Sequence, residues 1–365
     1  MISLASLSAL LLILFLLPSQ DGSGRSGRAD AAAENGSAAQ PQGVVNVVET
    51  LKPAIVSVIS THTGGLGMEG VGNATIGSGI IYEKTESISH IVTNHHVIDG
   101  AASIEVVLSD GLRLDAAVIG SDALTDLAVL EVDSREVKGV AEFGDSNELK
   151  EGEAAIAIGH PFGLGYSPTF TLGIISSLSR VIPISLAMDG NVDWEMELLQ
   201  TDAAINHGNS GGALVSMEGK VIGINSMKVA QPGVEGIGFA IPSNNAVPII
   251  EELVQYGMIR RPYLGVATVD LKQYRNSGEL EDVLKLPRGV EDGIIVLEAY
   301  GPAADVGIKT NDVIVALDGE KIDSTLALRK FLYTKKKIGD TIRAELYREG
   351  EKLSLELRLS ESPKE

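Results

Sequence analysis

The residues around Ser210 are the first that suggest chemistry. This serine lies in the segment AINHGNSGGAL (residues 204–214), where Gly208, Gly211 and Gly212 stand beside it. A run of glycines weakens a core strand, because glycine loses much backbone entropy on folding and buries no side chain. The same residues suit a loop in which a substrate carbonyl must come close to the backbone. Ser210 is therefore a candidate nucleophile.

A serine hydroxyl needs a base beside it to act as a nucleophile at neutral pH, and that base is normally a histidine held by a carboxylate. The chain has six histidines, and a single histidine is more often structural or solvated than catalytic. His96 is favoured because it follows the strand-like run ISHIVT and opens the next apolar segment. Asp126 stands at the entrance of the apolar run LAVLEV, where a carboxylate could be held out of water. The chain order His96, Asp126, Ser210 is one of the orders known for Ser-His-Asp hydrolysis.

Short strand-like runs broken by turns would have to position these residues. They are AIVSVIS (54–60), GSGIIYEKTESISHIVTNHHVI (77–98), SIEVVLSDGLRLDAAVIG (103–120), DLAVLEV (126–132), AAIAIGHP (154–161), TLGIISSL (171–178), GALVSMEGKVIGINSM (212–227) and GIGFAIP (236–242). Such spacing, with little helix between the runs, predicts barrels or a sandwich. The first helical pattern is SNNAVPIIEELVQYG (243–257), for which Ser243 could be the N-cap.

A second unit follows the segment RRP at residues 260–262. It has several strand-like runs, one well-patterned helical stretch, STLALRKFLYTKK (324–336), and two final strands joined by the turn REGEK. Strands with one helix over about 100 residues predict a small α+β domain.

The N-terminal 43 residues differ from the rest of the chain. Residues 1–20 carry no charged side chain and are mostly apolar, which is typical of a signal peptide or a membrane anchor. Residues 21–43 are rich in Gly, Ser and Ala and predict a flexible linker. This arrangement favours an exported or tethered protein.

Composition excludes several function classes. The formal charge of −20 disfavours binding to a nucleic-acid backbone, and the lack of cysteine excludes a thiol nucleophile, Cys-ligated zinc and disulfides. The sequence has neither a P-loop nor an HExxH segment, so it predicts no nucleotide or metal cofactor.

Five segments carry a resemblance to a known family. TNHHVI, TDLAVLEV, IGHPFGLG and QTDAAINHGNSGGALV, followed by GFAIPSNNA, resemble in this order the motifs of the HtrA/Deg family of trypsin-like serine proteases with PDZ domains. The resemblance covers about residues 44–362. It implies a mostly β fold, with a chymotrypsin-like double β-barrel over residues 44–258 and an α+β PDZ domain over residues 262–362.

The resemblance also implies roles for single residues. The base falls at His96, with His95 in a variable position, the orienting carboxylate at Asp126 and the nucleophile at Ser210. The backbone N–H groups of Gly208 and Ser210 would form the oxyanion hole. The sequence differs from the family pattern at His160, where the family more often has Asn.

The residues before the nucleophile predict the primary substrate pocket. In trypsin-like proteases such residues form its floor, and here they are Ala204, Ile205 and Asn206, without an acidic side chain. We therefore expect cleavage after small aliphatic residues rather than after Lys or Arg. The segment GINSM (223–227) resembles the strand along which an extended substrate binds, which adds Ile224 and Asn225 to the predicted pocket.

The segment RPYLGV resembles the carboxylate-binding loop of a PDZ domain. Tyr263, Leu264, Gly265 and Val266 would form this loop, and a C-terminal peptide would add as a strand beside it. The alternative is that the groove packs against the protease domain and binds no peptide.

Together these features predict an ATP-independent serine endopeptidase of the cell envelope or periplasm that degrades misfolded or damaged proteins. The resemblance further implies a homotrimer. Two other functions stay open: a regulatory protease with one dedicated substrate, switched on through the PDZ groove, and a peptide-binding chaperone or scaffold. Labelling of Ser210 by a fluorophosphonate would distinguish an enzyme from a scaffold.

Overall fold

The computed structural model describes residues 41–63, 74–160, 168–184, 192–228, 236–274 and 283–362. The predicted signal or anchor segment, 1–20, and most of the predicted linker lie outside these residues. The first described element is helix α1 (Pro41–Leu51), which begins three residues before the predicted start of the protease domain. Among the described helices, none combines the length and the apolar character needed to cross a membrane.

Seven antiparallel strands form the first sheet. They are β1 (Ile55–Thr61), β2 (Ala74–Lys84), β3 (Ile88–Thr93), β4 (Ser103–Val107), β5 (Arg113–Asp115), β6 (Ala117–Asp122) and β7 (Leu127–Asp133). The order across the sheet is β5-β4-β1-β2-β3-β7-β6. A 3-10 turn (Lys52–Ala54) leads from α1 into β1. The single-turn helix α2 (His95–Ile98) follows β3 directly and places His96 at the end of the sheet.

Six further strands close into a barrel. They are β8 (Ala154–Gly159), β9 (Thr169–Ile184), β10 (Trp194–Thr201), β11 (Ala213–Ser216), β12 (Val221–Lys228) and β13 (Gly238–Pro242), in the order β10-β13-β12-β11-β8-β9. One apolar core includes side chains from both sheets, such as Ile80 and Leu127 from the first and Ile156 and Ile224 from the second. The two sheets therefore pack against each other around a common core.

Helix α3 (Ser243–Tyr256) ends the protease region one residue earlier than the sequence pattern predicts, because Gly257 adopts a left-handed conformation (φ 75°) that closes the helix. The predicted N-cap role of Ser243 is wrong. Pro242 occupies the cap position, and the buried Ser243 hydroxyl donates to the carbonyl of Gly144 at 2.8 Å.

The described part of the C-terminal domain alternates strands with short helical segments. Its elements are β14 (Pro262–Tyr263), β15 (Val266–Asp270), β16 (Ile294–Ala299), α4 (Gly301–Asp305), β17 (Val313–Leu317), β18 (Glu320–Lys321), α5 (Thr325–Lys335), β19 (Thr341–Arg348), β20 (Glu351–Arg358) and β21 (Ser360–Glu361), with a 3-10 turn at Leu271–Tyr274. Leu328, Phe331 and Leu332 of α5 are buried in its core. β15 is an edge strand of the main sheet.

The two domains contact each other through a largely buried ion pair. Arg261, at the start of the C-terminal domain, donates to both carboxylate oxygens of Asp122 at 2.5 and 2.8 Å. Burial acts to raise the pKa of Asp122, but the Arg261 guanidinium outweighs it and holds that pKa below its usual value. Trp194 of β10 packs on Tyr333 of α5 with ring centroids 5.7 Å apart. Helix α5 is therefore packed in part against the protease domain.

Candidate active site

His96 and Asp126 are joined by close hydrogen bonds. The Nδ1 atom of His96 lies 2.8 Å from Oδ1 and 3.0 Å from Oδ2 of Asp126, and the backbone N–H of His96 donates to Oδ1 at 3.1 Å. The His96 side chain is about half exposed at 49%, whereas that of Asp126 is 12% exposed. This leaves Nε2 as the ring nitrogen that can exchange a proton with a substrate or a nucleophile.

The hairpin between β6 and β7 places Asp126. Asp122 pairs with Leu127, so residues 123–126 form a four-residue loop in which Asp126 comes last, with φ at 55°. Aspartate tolerates this left-handed conformation better than most residues. The Asp126 carbonyl accepts hydrogen bonds from the Asn94 side chain at 2.8 Å and from the His95 N–H at 3.1 Å. The loop that carries the carboxylate is thus fixed directly to the segment that carries the histidine.

Ser226 links the Asp126 carboxylate to Ser210, a contact that no sequence pattern predicted. Its hydroxyl donates to Oδ2 of Asp126 at 3.0 Å, and its carbonyl accepts the Ser210 hydroxyl at 2.8 Å. In the described part of the chain the Ser210 hydroxyl forms no hydrogen bond with His96 Nε2. Ser210 therefore lies in the same cleft as the pair, but rotation of its side chain would be needed to engage the base.

The glycines beside Ser210 bring the backbone of one segment close to that of another. A Cβ atom at Gly211 would lie less than 3.0 Å from the Ser78 carbonyl, and one at Gly212 less than 3.0 Å from the Ile158 carbonyl. Among the described residues, no hydrogen bond is donated by the backbone N–H of Gly208 or Ser210. Backbone N–H groups beside a nucleophile can stabilise a developing oxyanion, which is the role predicted for these two.

The histidines near the site have distinct surroundings. His160 is 2% exposed, and this burial lowers its pKa to about 4, so its ring is neutral throughout the physiological range. His207 is exposed. His95 has its backbone N–H on the Asp126 carbonyl and its side chain near Asp99, at 3.8 Å. Of these three residues, none donates or accepts a side-chain hydrogen bond with Asp126 or Ser210.

The predicted pocket residues divide into two groups. Ala204 and Asn206 are exposed, and Ile205 is 6% exposed and packs beside Gly238. Ile224 is fully buried in the common core, and Asn225 uses its side chain to bind the carbonyls of Ile158 and Ala213. The last two side chains hold the barrel together and do not line an open pocket.

Within the described residues, no group of three or more His, Asp or Glu side chains is placed to bind a metal ion.

Comparisons with known proteins match both domains. A family described as "Trypsin-like peptidase domain" matches residues 77–224, and one described as "PDZ domain" matches residues 262–359. The chain is 39% identical over 336 residues to the Serine protease Do-like HtrA of Bacillus subtilis (strain 168), which covers 87% of this chain and 73% of that relative. The chain belongs to the HtrA family of serine proteases.

Other HtrA proteins agree in sequence and in fold. The Serine protease Do-like HtrA of Lactobacillus helveticus is 44% identical over 293 residues, which is 78% of this chain and 68% of that relative. A solved structure of the HtrA-type protease AlgW with a decapeptide superposes with a TM-score of 0.62 at 31% identity, covering 88% of this chain and 99% of that one. The predicted fold class is thereby confirmed: a trypsin-like domain of curled sheets is followed by a PDZ domain.

In the PDZ domain of this HtrA-type protease, the predicted carboxylate-binding residues form the turn between β14 and β15. Leu264 is buried, and Gly265 has φ at 89°. The carbonyls of these two residues accept hydrogen bonds from Ala303 N–H at 3.1 Å and Tyr300 N–H at 2.7 Å. The turn is therefore held from the side of α4, and it opens towards the unpaired edge of β15.

The pKa of His96 predicts how the activity of this HtrA-type protease depends on pH. Burial acts to lower that pKa, but the hydrogen bond and the negative charge of Asp126 outweigh it and raise the pKa above its usual 6.5. A general base must be neutral to accept a proton, so we expect kcat/KM to rise with pH through a midpoint above 6.5 and then to level off. Initial rates on a fluorogenic peptide between pH 5 and 9 would measure it. A midpoint below 6.5 would show that burial outweighs the carboxylate.

Proposed function

We propose that His96, Asp126 and Ser210 form the catalytic triad of this protease. The observation that carries the proposal is the chain of contacts from the ring of His96 through the Asp126 carboxylate to Ser226, whose carbonyl holds the Ser210 hydroxyl. The four groups belong to different segments of the chain, and their mutual contacts support the proposal.

The chemistry follows from this arrangement. Rotation of the Ser210 side chain takes its hydroxyl from the Ser226 carbonyl to Nε2 of His96, which accepts the proton while Oγ attacks the peptide carbonyl carbon. Asp126 stabilises the imidazolium that forms. The N–H groups of Gly208 and Ser210 bind the oxyanion, and each such donor is worth about 3–4 kcal/mol in the transition state. His96 then protonates the leaving amine, and water releases the acyl group by the same steps.

A fluorophosphonate probe tests this assignment on the intact chain. We expect covalent labelling of the wild-type protein at Ser210, located by mass spectrometry of the digested protein, because the probe reacts only with a serine activated by a base. A Ser210→Ala variant should not be labelled. Equal labelling of both proteins, or labelling of the wild type at another serine, would refute the proposed nucleophile.

The substrates we propose are misfolded or damaged proteins, cleaved after small aliphatic residues. Support comes from the segment 204–206, which carries no acidic side chain that would attract Lys or Arg. Mass spectrometry of the products from an unfolded protein substrate would give the residue before each cut. A majority of Lys or Arg at that position would contradict the preference.

We also propose that the PDZ domain binds the C-terminus of a peptide. The free edge of β15 offers unpaired backbone groups to an added strand, and the turn at Gly265 precedes that edge. A hydrogen bond joins β15 to the start of helix α5, where the Thr268 hydroxyl lies 3.1 Å from that of Thr325. Fluorescence polarisation with a peptide and with its C-terminally amidated form would test recognition of the carboxylate. Equal affinities for the two forms would contradict it.

A homotrimer in the cell envelope completes the proposal. Leu172 and Ile174 stand two residues apart in β9 and are 52 and 40% exposed, and neighbouring exposed apolar side chains are what a contact between copies would use. The apolar segment 1–20 supports export or a membrane tether. Light scattering after gel filtration would give the mass of the assembly, and fractionation of cells would give its location.

A further inference from the structure

Ser78 occupies a buried position beside the active site. It lies in β2 and has no exposed surface. Its hydroxyl donates to the carbonyl of Gly208 at 2.5 Å and accepts the backbone N–H of His160 at 2.7 Å. A buried hydroxyl with both a donor and an acceptor partner has a fixed orientation. The hydroxyl therefore fixes the direction of the Gly208 carbonyl.

The backbone of Ser78 makes two more contacts around the same cleft. Its N–H donates to the carbonyl of Ser210 at 2.7 Å, and its carbonyl accepts the Thr93 hydroxyl at 2.7 Å. Thr93 ends the strand that leads to His96. One residue of the first sheet thus contacts both the nucleophile loop and the strand before the base.

The peptide group between Gly208 and Asn209 is held at both ends. Its carbonyl accepts the Ser78 hydroxyl, and its N–H donates to the carbonyl of Asn206 at 2.9 Å. This group lies between the N–H groups of Gly208 and Ser210, the two donors of the proposed oxyanion hole. Gly208 has φ at 95° and no side chain that could resist rotation. The spacing of the two donors therefore depends on external partners, of which Ser78 supplies the carbonyl end.

We propose that Ser78 is a positioning residue for the oxyanion hole: its hydroxyl holds the Gly208–Asn209 peptide so that the two flanking N–H groups converge on one point. The inference rests on the roles of Gly208 and Ser210 proposed above. Ser78 itself does not touch the substrate, and it acts through the Gly208 carbonyl.

Replacement of the hydroxyl tests this role. Removal of an oxyanion donor lowers kcat about 10²–10³-fold. A donor that is only displaced keeps part of its stabilising effect, so we expect Ser78→Ala to lower kcat about ten- to a hundredfold. KM should stay within about twofold, because the hole binds the transition state and not the ground state. The pH midpoint of kcat/KM should not move, since the contacts between His96 and Asp126 are unchanged. A general loss of folded protein would lower the active-site concentration, measured by titration, and leave kcat per active site intact.

A peptide aldehyde gives a second readout. The Ser210 oxygen adds to the aldehyde carbon, the carbonyl oxygen becomes the hemiacetal oxygen in the oxyanion hole, and the serine proton moves by way of His96 to the adduct. We expect Ser78→Ala to weaken inhibition by this aldehyde by the same factor as kcat. Inhibition by the same peptide with a C-terminal amide, which cannot form the adduct, should not change.

Ser57→Ala is the matched control. Ser57 lies directly opposite Ser78 in the register of β1 and β2 and is 3% exposed, but its hydroxyl has only a 3.5 Å contact with the Gly77 carbonyl. We expect its kcat to equal that of the wild type. If Ser78→Ala does not fold, the same kinetic test is made on Ser78→Cys, because a thiol fills the space of the hydroxyl but is a weak hydrogen-bond donor.

Two results would overturn the inference: an unchanged kcat in the folded Ser78 variant, or a rise in KM alone. They differ from a failure of the proposed function, in which the wild-type protein itself would not be labelled by the fluorophosphonate at Ser210.

Discussion

Asp126→Asn is expected to lower kcat about 10⁴-fold while the protein stays folded. Three donors converge on this carboxylate: the backbone N–H and Nδ1–H of His96, and the Ser226 hydroxyl. An amide has one acceptor oxygen and one NH₂ group. If the oxygen faces the ring, the imidazolium loses the negative charge that stabilises it. If the NH₂ group faces the ring, the proton of the neutral imidazole moves to Nε2, which can then no longer accept one from Ser210.

The backbone conformation at position 126 allows asparagine to replace aspartate without added strain. Asp126 has φ at 55°, and asparagine adopts that left-handed conformation as readily as aspartate. The midpoint of urea unfolding should therefore stay close to that of the wild type. Kinetics on a fluorogenic peptide give kcat, and the pH midpoint of kcat/KM should fall, because the source of the raised His96 pKa is lost.

Asp133→Asn is the control for this experiment. Asp126 comes directly before β7 and Asp133 is its last residue, but Asp133 is exposed and, among the described residues, its carboxylate pairs with the nearby Arg135. We expect its kcat to be unchanged. A kcat within tenfold of the wild type for Asp126→Asn would mean that another group orients His96, and the proposed triad would have to be abandoned.

The sequence predicts the three positions of the proposed triad because each one has a local signature. His96 follows an apolar strand, Asp126 precedes one, and Ser210 stands in a glycine loop. Helices α3 and α5 are also visible from local patterns: the predicted ranges 243–257 and 324–336 differ from the observed ones by only one residue at each differing end. Helix α1 was not predicted, since the first helical pattern of the sequence is the one at 243–257. A local sequence pattern is enough to predict a feature when that feature depends only on neighbouring residues, as a helix or a glycine loop does.

Ser226 and the pocket could not be predicted in this way. The pairing of β12 with β13 shifts between Asn225 and Met227, so Ser226 is the extra residue of a β-bulge. A bulge interrupts the alternation of inward and outward side chains, and here it turns a serine towards Asp126. The pattern GINSM contains no signal of that shift. This explains why Ile224 and Asn225 were predicted in the pocket, whereas their side chains lie in the interior.

Contacts between distant segments were invisible for a different reason. Arg261 and Asp122 are 139 positions apart, and Ser78 and Gly208 are 130 apart. Neither pair has a distinctive spacing or composition. Their partners are set by the packing of two sheets and two domains, which a single sequence does not encode in any local motif.

The second large effect is expected from Gly211→Ala, compared with Gly219→Ala. The two glycines have nearly the same left-handed backbone, with φ at 81° and 77°. A Cβ at Gly219 would meet nothing within 4 Å, whereas one at Gly211 would lie less than 3.0 Å from the Ser78 carbonyl and the Thr93 hydroxyl. Both variants carry the cost of a left-handed alanine, about 1 kcal/mol. Only Gly211→Ala adds overpacking, worth about 1–3 kcal/mol, which brings its total to about 2–4 kcal/mol of unfolding free energy.

The difference in stability between the two variants can be measured by the fluorescence of the single tryptophan. Trp194 lies in β10 of the closed barrel and packs on Tyr333 of α5, so its fluorescence in urea follows the unfolding of the barrel together with the loss of this interdomain contact. We expect a much lower midpoint for Gly211→Ala and a small decrease for Gly219→Ala, which should keep the wild-type kcat. Because the added methyl group would push on Ser78, the folded fraction of Gly211→Ala should also lose activity. Equal midpoints for the two variants would show that the loop can move away from the first sheet, and that backbone conformation alone explains the glycine at position 211.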